Sequence, residues 1–475
     1  MKNRINVYRA HPFIIFSYIK PFLFILLFPL FRAVVEFLAG GQFDNFVFGE
    51  VLALLLLFGY AIIKWRNFSL ENCEKSLKIR TGLFAVREAV LLKEKISTIE
   101  ITRNPFDVMF RCVTMKINTE AGMRGRADYE FKISQSAAEA ITNDISGLDV
   151  RVTVKFSPIR VAVMAAATSS SVTGMIIAVP LINRTGNLLG LALEDVLLQR
   201  INDVSRIFER YVPPIVNTVT LLFLFFYFLA FLYSFFKYVG FKLTLGDDDL
   251  EIRSGFLVRK RVRFKTEAVN TVCVEQNPLM RLIRRCLLRV EIGGYGNGRG
   301  EKAVIIPSAT VNETKRIFSM VFPQVRPDGD YIRPPKHSCY RFFVVPLLLL
   351  AVLIAAYFVL VTFFPLFRDL IGFLALILFC VLLYYFELAR YNFAESRVCF
   401  GEAIYVKASK WTKSREVYCD ASRVGLISIT KFPADMRKGT CNTKIIMRSE
   451  GAESISIKHI PYDEVMGQIS RLYDV

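Results

Sequence analysis

The sequence predicts α-helical transmembrane hairpins combined with α+β domains. Three two-helix membrane hairpins alternate with three small β-barrel or sandwich domains, each capped by a C-terminal helix. Three observations carry this expectation. Hydrophobic residues make up 53% of the 475 residues, Phe alone accounts for 42, and mean hydropathy is +0.39, too apolar for a soluble chain of this size. Six apolar stretches approach the ~20 residues needed to cross a bilayer, and they come in pairs. Between the pairs, the frame TIEITRNPF at 98–106 returns as TVCVEQNPL at 271–279, in segments that are not apolar.

The spans are expected at Pro21–Leu38, Phe46–Ile63, Val161–Ile182, Val212–Phe236, Phe342–Phe364 and Leu370–Leu388. They divide the chain into an N-terminal tail with hairpin 1 (1–63), a first β domain (64–160), hairpin 2 (161–240), a second domain (241–340), hairpin 3 (341–389) and a divergent third domain (390–475). Lys2, Arg4 and Arg9 precede the first apolar run as in a signal peptide. No small-residue cleavage site follows, and Lys20 and Arg32 interrupt the apolar core, so a retained span is expected. The third stretch is rich in Ala, Ser, Thr and Gly, which places it at a helix–helix contact. Leu193, Leu197, Ile201, Val204 and Phe208 follow a helical period, predicting an amphipathic helix between the third and fourth spans, on the outer face.

Charge sets the expected orientation. Residues 64–160 carry 17 Lys/Arg against 12 Asp/Glu, 241–340 carry 18 against 11, and 390–475 carry 14 against 10, whereas 184–210 balances four against four. By the positive-inside rule both termini and all three polar segments face the cytoplasm. Nine cysteines without a C-x-x-C pair fit reduced thiols on that side, and Cys380 within a span reads as a small apolar residue.

The repeat extends beyond the nine-residue frame. LKIRTGLF at 77–84 matches LEIRSGFL at 250–257, so Gly82 and Gly255 each precede their Asn-Pro by 22 residues. Leu77/Ile79 and Leu250/Ile252 alternate with charged residues as in half-buried strands, and the glycine turns the chain into the next strand. Ile96, Ile99 and Ile101, like Val269, Val272 and Val274, form a strand that stops at Asn104-Pro105 or Asn277-Pro278, since proline cannot donate to a ladder. VTMKIN (113–118) and LLRVEI (287–292), then EFKI (130–133) and AVIIP (303–307), are further strands. A helix follows, with Ser134 or Ser308 as the expected N-cap. In the third copy, VGLISITKFPA (424–434) keeps Pro433 but has Phe432 for the asparagine and Lys410 for the glycine, so its turn must differ. SISIKHIP (454–461) leads into the last helix.

A transmembrane pair followed by L-x-I-x-x-G, a V/I-x-T-V/I-x-V/I strand and Asn-Pro resembles the bacterial pleckstrin-homology-like membrane proteins, in particular the three-copy YdbT-like group. The resemblance spans essentially the whole chain. It implies PH-like domains on the cytoplasmic face of a bacterial cell membrane, no established enzymatic activity, and a smaller one-copy PH-like membrane protein as a partner.

No catalytic or metal kit is visible. His11, His337 and His459 are far apart, and no zincin, serine-hydrolase or cysteine-cluster pattern occurs. GGYGNGRG at 293–300 has the glycines of a phosphate loop, but a strand follows it where a helix is needed; a hairpin link is favoured, with phosphate contact through Arg299 or Lys302 left open. Asp247, Asp248 and Asp249 read as a solvated turn. The best binding candidate is RKRVRFK, where Arg259, Lys260, Arg261, Arg263 and Lys265 could face anionic lipid or could simply set topology. The first copy offers only Arg80, Arg87 and Lys93 there, and the third Lys407, Lys410, Lys413 and Arg415; Arg281, Arg284, Arg285 and Arg289 form a second ambiguous cluster. Arg32, Glu36 and Glu50 read as an interfacial charge group.

The expectation is a non-enzymatic scaffold that needs no cofactor, displays three domains to proteins and lipid head groups, and does not bind nucleic acid. Homo-oligomerisation stays open. The alternative is a transport or export component whose hairpins form a path.

Overall fold

The computed structural model describes residues 6–20, 22, 45–83, 85–119, 128–147, 149–189, 193–208, 214–293, 295, 302–323, 325, 327, 329–410, 413–448 and 454–473. The expected first span, with Arg32 and Glu36, lies outside them, as do Gly294 and residues 296–301 of the glycine-rich loop. Two compact units form. One comprises Met1–Val154, Lys242–Ala268 and Ile292–Arg299; the other comprises Lys155–Phe241, Val269–Glu291 and Gly300–Val475.

In the first unit the strands are β1 (Asn6–Arg9), β2 (Ser69–Asn72), β3 (Ser76–Gly82), β4 (Val86–Leu92), β5 (Ile96–Arg103), β6 (Cys112–Thr119), β7 (Tyr129–Ser134), β8 (Val152–Lys155), β9 (Lys242–Leu245), β10 (Asp249–Ser254) and β11 (Arg259–Lys265). They form a four-stranded sheet in the order β1-β2-β3-β4 and a seven-stranded sheet in the order β7-β6-β5-β11-β10-β9-β8. The alternating residues of the sequence pattern point inward. Leu77, Ile79, Ile99, Met115, Ile117 and Ile133 pack with Ile141 of the closing helix Gln135–Ile145.

The second unit holds β12 (Val269–Gln276), β13 (Arg285–Ile292), β14 (Ala303–Thr310), β15 (Arg397–Cys399), β16 (Ala403–Lys410), β17 (Lys413–Asp420), β18 (Val424–Thr430), β19 (Thr440–Met447) and β20 (Ser454–Pro461). Its sheets run β14-β13-β12-β17-β16-β15 and β18-β19-β20. Val398, Ile404, Val406, Val417, Ile445 and Ile457 form its main β core with Val465 of the last helix, Tyr462–Tyr473.

Every strand expected from the repeat is present, and the two strand groups of the first repeat and of the third each pack on one another around a core of that repeat, but the repeats also share sheets. The last three strands of the first repeat join the first three of the second through β5 and β11, with Ile99 opposite Arg263. The second joins the third in the same way through β12 and β17, with Val272 opposite Tyr418. The two seams have the same register. Adding 173 to Ile99 gives Val272, and the partner of each, Arg263 or Tyr418, lies 15 residues before the proline of its own repeat.

Ser134 caps its helix as expected, accepting from the Ala137 N–H at 3.3 Å. Ser308 does not. The strand runs on to Thr310, whose hydroxyl accepts from the Glu313 N–H at 3.4 Å, while Ser308 is fully buried inside β14. Asn104, Asn277 and Phe432 each end a strand and precede a short helix: Pro105–Met109, Pro278–Leu282 or Pro433–Met436. Proline fits the first helical position, where its missing N–H costs nothing.

Asn217–Tyr238, Lys336–Phe363 and Pro365–Glu395 are long and apolar enough to cross a membrane. The expected second span is helical over Asn45–Arg66. The expected third span is not one straight helix. Pro158–Thr168 and Ser171–Pro180 meet at 92°, and the pair counts as a fourth candidate if taken as one broken span. Serine and threonine side chains bond back to the helix at the break. Thr168 Oγ1 and Ser169 Oγ donate back to the carbonyls of Met164 and Ala165 at 2.8 and 2.6 Å, so side chains compete with the helix ladder. The small residues do mark a helix contact, because a Cβ on Gly174 would lie 1.7 Å from the Phe226 carbonyl oxygen. Leu193–Phe208 is helical, as its period predicts.

Candidate functional site

The basic strand β11 lies between β10 and β5, in the interior of a sheet. Glu251 on β10 is fully buried and gathers three guanidinium groups. Arg261 Nη2 and Arg263 Nη2 donate to its Oε2 at 2.7 and 2.8 Å, and Arg253 binds Oε1. Burial alone would raise the Glu251 carboxyl; hydrogen bonds and charge from the three arginines hold it below its ordinary range. Arg263 is 4% exposed and also reaches the Ser146 carbonyl at 2.5 Å, tying β11 to the end of the helix Gln135–Ile145. Lys260 pairs with Glu100 of β5 at 3.0 Å, and Lys265 donates to the Glu94 carbonyl at 2.7 Å. Of the five residues of the expected lipid patch, four are therefore engaged within the unit, and Arg259 at the strand's start is exposed. The second cluster is also partly consumed: Arg289 pairs with Glu275 at 3.4 Å, and Arg281 stacks on the Tyr391 ring at 3.7 Å.

The repeat-defining residues serve the backbone. A Cβ at Gly82 or Gly255 would lie 2.1 or 2.0 Å from the carbonyl oxygen of Ala85 or Val258, and both have positive φ. The third hairpin differs, as its lysine demands. Its ladder continues to Lys410 opposite Lys413. β13 and β14, which flank the glycine-rich segment in the chain, pair antiparallel with Val290 opposite Ala303. Asp247 pairs with Arg151, and Asp249 accepts from Ser146. Among the described residues no group of His, Cys, Asp and Glu could hold a metal ion.

A joint that the sequence reading missed recurs beside the short helices. Asp107, fully buried, caps the Asn104 N–H at 3.1 Å and pairs with Lys132 of β7 at 2.5 Å. The chain leading toward the first hairpin docks there. The His11 N–H donates to the Lys132 carbonyl at 2.8 Å, and Phe13 stacks on Phe110 with centroids 4.4 Å apart. In the third repeat Asp435 caps the Phe432 N–H at 3.2 Å and accepts from Thr440 at 3.1 Å. It binds Arg341, which begins the helix Cys339–Phe363, and lies 3.2 Å from His459 Nδ1. Burial lowers the His459 pKa against the pull of Asp435, and Phe342 meets that ring edge-on. In the second repeat Met280 replaces the aspartate, and Asn277 Nδ2 instead donates to the Ala167 carbonyl at 2.9 Å, near the end of Pro158–Thr168. Each short helix thus fastens a β repeat to a segment at the start of its own hairpin. The signal was present as Asn-Pro-Phe-Asp at 104–107 and Phe-Pro-Ala-Asp at 432–435: an N-cap position followed three residues later by a carboxylate.

A cleft of about 150 Å³ opens beside the β12–β17 seam, lined by Cys286, Thr314, Tyr391, Lys407, Glu416 and Tyr418 among others. Lys407 pairs at 2.7 Å with both Glu395 and Glu416, which raises its pKa despite burial. Burial also pushes the Cys286 thiol up.

The family model for the bacterial PH domain matches residues 22–149 and 190–321, more than half of the chain. No curated protein and no solved structure shows a significant match.

Proposed function

The chain belongs to the bacterial PH domain family, and on that premise we propose that it is a non-enzymatic, multi-pass scaffold of the bacterial cell membrane. It carries three PH-like repeats in the manner of the YdbT-like group. Its termini and β repeats face the cytoplasm, where they dock proteins by strand addition. The supporting observation is the seam. Successive repeats associate by antiparallel pairing of outer strands, so the recognition mode is already used twice within the chain. A smaller one-copy PH-like membrane protein would present the same kind of strand. Lipid contact narrows to Arg259, because its neighbours in the basic strand serve Glu251 and Glu100.

The broken helix pair at 92° favours the second reading, a transport component, since interrupted spans are where transporters place their sites. Photo-crosslinkers placed at Val90, Leu426 and Arg259 of the full chain in native membranes discriminate. Docking predicts discrete protein adducts at the strand positions. Adducts to lipid alone, or none at any position, would contradict it.

A further inference from the structure

The two seams leave two strands unmatched. β11 and β17 are the outer strands of their repeats' first three-stranded groups, and each is covered by the strand that opens the second half of the preceding repeat. The equivalent strand of the first repeat is β4, which ends its sheet; the equivalent of β5 and β12 in the third repeat is β18, which also ends its sheet. Among the described residues neither has a second partner strand. Their side chains reflect this. Val262 and Phe264 are buried in β11, whereas the matching Ala89 and Leu91 are half-exposed, and Val90 is 58% exposed. Val272 and Cys273 are buried in β12, whereas the matching Ile427 and Ser428 are half-exposed, and Leu426 is 55% exposed. Outer strands are ordinarily blunted by charge, proline or short length. β4 instead ends in Ala-Val-Leu-Leu (89–92), and β18 carries Leu-Ile-Ser-Ile (426–429).

We propose that a second copy of this chain occupies each edge: β18 of one molecule pairs antiparallel with β4 of the next, head to tail. The occupant is argued from continuity. The chain's own two seams join a β18-type strand to a β4-type strand in one register, and these are the remaining strands of the two types. Carrying that register over places Leu91 opposite Leu426, Val90 opposite Ile427 and Val86 opposite Lys431. No ion pair like Glu100–Lys260 or Glu275–Arg415 forms in this third seam, because Arg87 meets Thr430; its close pairs are the apolar Leu91–Leu426 and Val90–Ile427. A head-to-tail contact of unlike surfaces leaves a free edge of each kind until it closes, so it builds open chains, or rings where the rotation closes. The inference rests on the scaffold reading above and names its partner.

The test uses two differently tagged full-length chains coexpressed in membranes, one with Val90→Cys and the other with Ile427→Cys. Mild oxidation should yield a species of twice the chain mass carrying both tags, at least tenfold above either variant paired with wild type. The pair Val90→Cys with Ser428→Cys, one residue out of register, should give much less, because a one-residue slip turns side chains to the opposite face. Co-purification of the two tags without oxidation, lost on Val90→Pro, checks the contact independently of thiol geometry. Absence of both the two-tag species and co-purification overturns the proposal, as does cross-linking only within one chain. A photo-adduct at Val90 with some other protein, and none with this chain, would overturn self-association while leaving the scaffold reading intact; no protein adduct at all would remove both.

Discussion

Glu275 on β12 lies opposite Arg415 on β17, with Oε1 3.3 Å from Nε, across the seam that joins the second repeat to the third. Burial would raise the Glu275 carboxyl, and Arg289 and Arg415 hold it down. Removing Glu275 as Glu275→Leu leaves two guanidinium groups facing an apolar side chain in a closed seam. The expected loss is roughly 3 kcal/mol, toward the low end for breaking a buried pair because both arginines keep some exposure. Thermal unfolding of the detergent-solubilised protein should show it, with Arg415→Met alone less damaging.

Glu251 should be costlier. It is fully buried beneath Arg253, Arg261 and Arg263, so Glu251→Leu is expected to cost about 3–5 kcal/mol. Its folded pKa lies below the usual 4.5, so its stabilisation is complete above that value and is lost as pH falls through the depressed folded pKa. Replacing Arg259, Lys260, Arg261 and Arg263 together by Gln should therefore unfold the first unit, whereas Arg259→Gln alone should leave stability unchanged. Limited proteolysis separates the two outcomes.

The repeats were legible because strand alternation and the Asn-Pro punctuation are local. Glycine at 82 and 255 announced a turn that a Cβ would block. The seams were not legible, since Arg259–Lys265 alternates equally well as an outer strand of its own domain or as the inner strand of a shared sheet. Pairing between Ile99 and Arg263 is a fact of tertiary structure. The basic run that reads as a lipid patch also supplies partners for Glu251, across its own hairpin, and for Glu100, a carboxylate with no local tie to it. The bend at Ser169 was written in the Thr-Ser-Ser-Ser run, but hydropathy counts those residues only as tolerable within a span.

The joint at Asp107 allows an exchange between repeats. Asp107→Met leaves Lys132 unpaired and should cost about 3 kcal/mol. The second repeat has Met280 and Ile305 at these two positions, so Asp107→Met with Lys132→Ile should recover most of that loss. A double-mutant cycle by thermal unfolding measures the coupling, and additive losses would contradict the pairing.

The third repeat should loosen in mild acid. His459 is held neutral by burial, with its folded pKa below 6.5. The unfolded chain binds the proton first, so stability is fully present above pH 6.5 and falls as the pH drops below it. His459→Gln should flatten that dependence between pH 7 and 5, read from thermal unfolding of the full chain.

Orientation is checked by cysteine probes in a background free of native cysteines. Asn187→Cys should label from outside intact cells, and Gly122→Cys and Gly296→Cys only after permeabilisation. Outside labelling at 122 would reverse the proposed topology.

The central claim is that β4, β11 and β17, three copies of one strand, differ because two are sealed by the preceding repeat. Backbone hydrogen exchange of full-length chains, dispersed in detergent at a dilution favouring single molecules, tests it most directly. Amides of 259–265 and 413–420 should exchange slowly along their whole length, with unpaired amides of 86–92 exchanging at least a hundredfold faster. Equally fast exchange of outward-facing amides in all three strands would contradict the shared sheets.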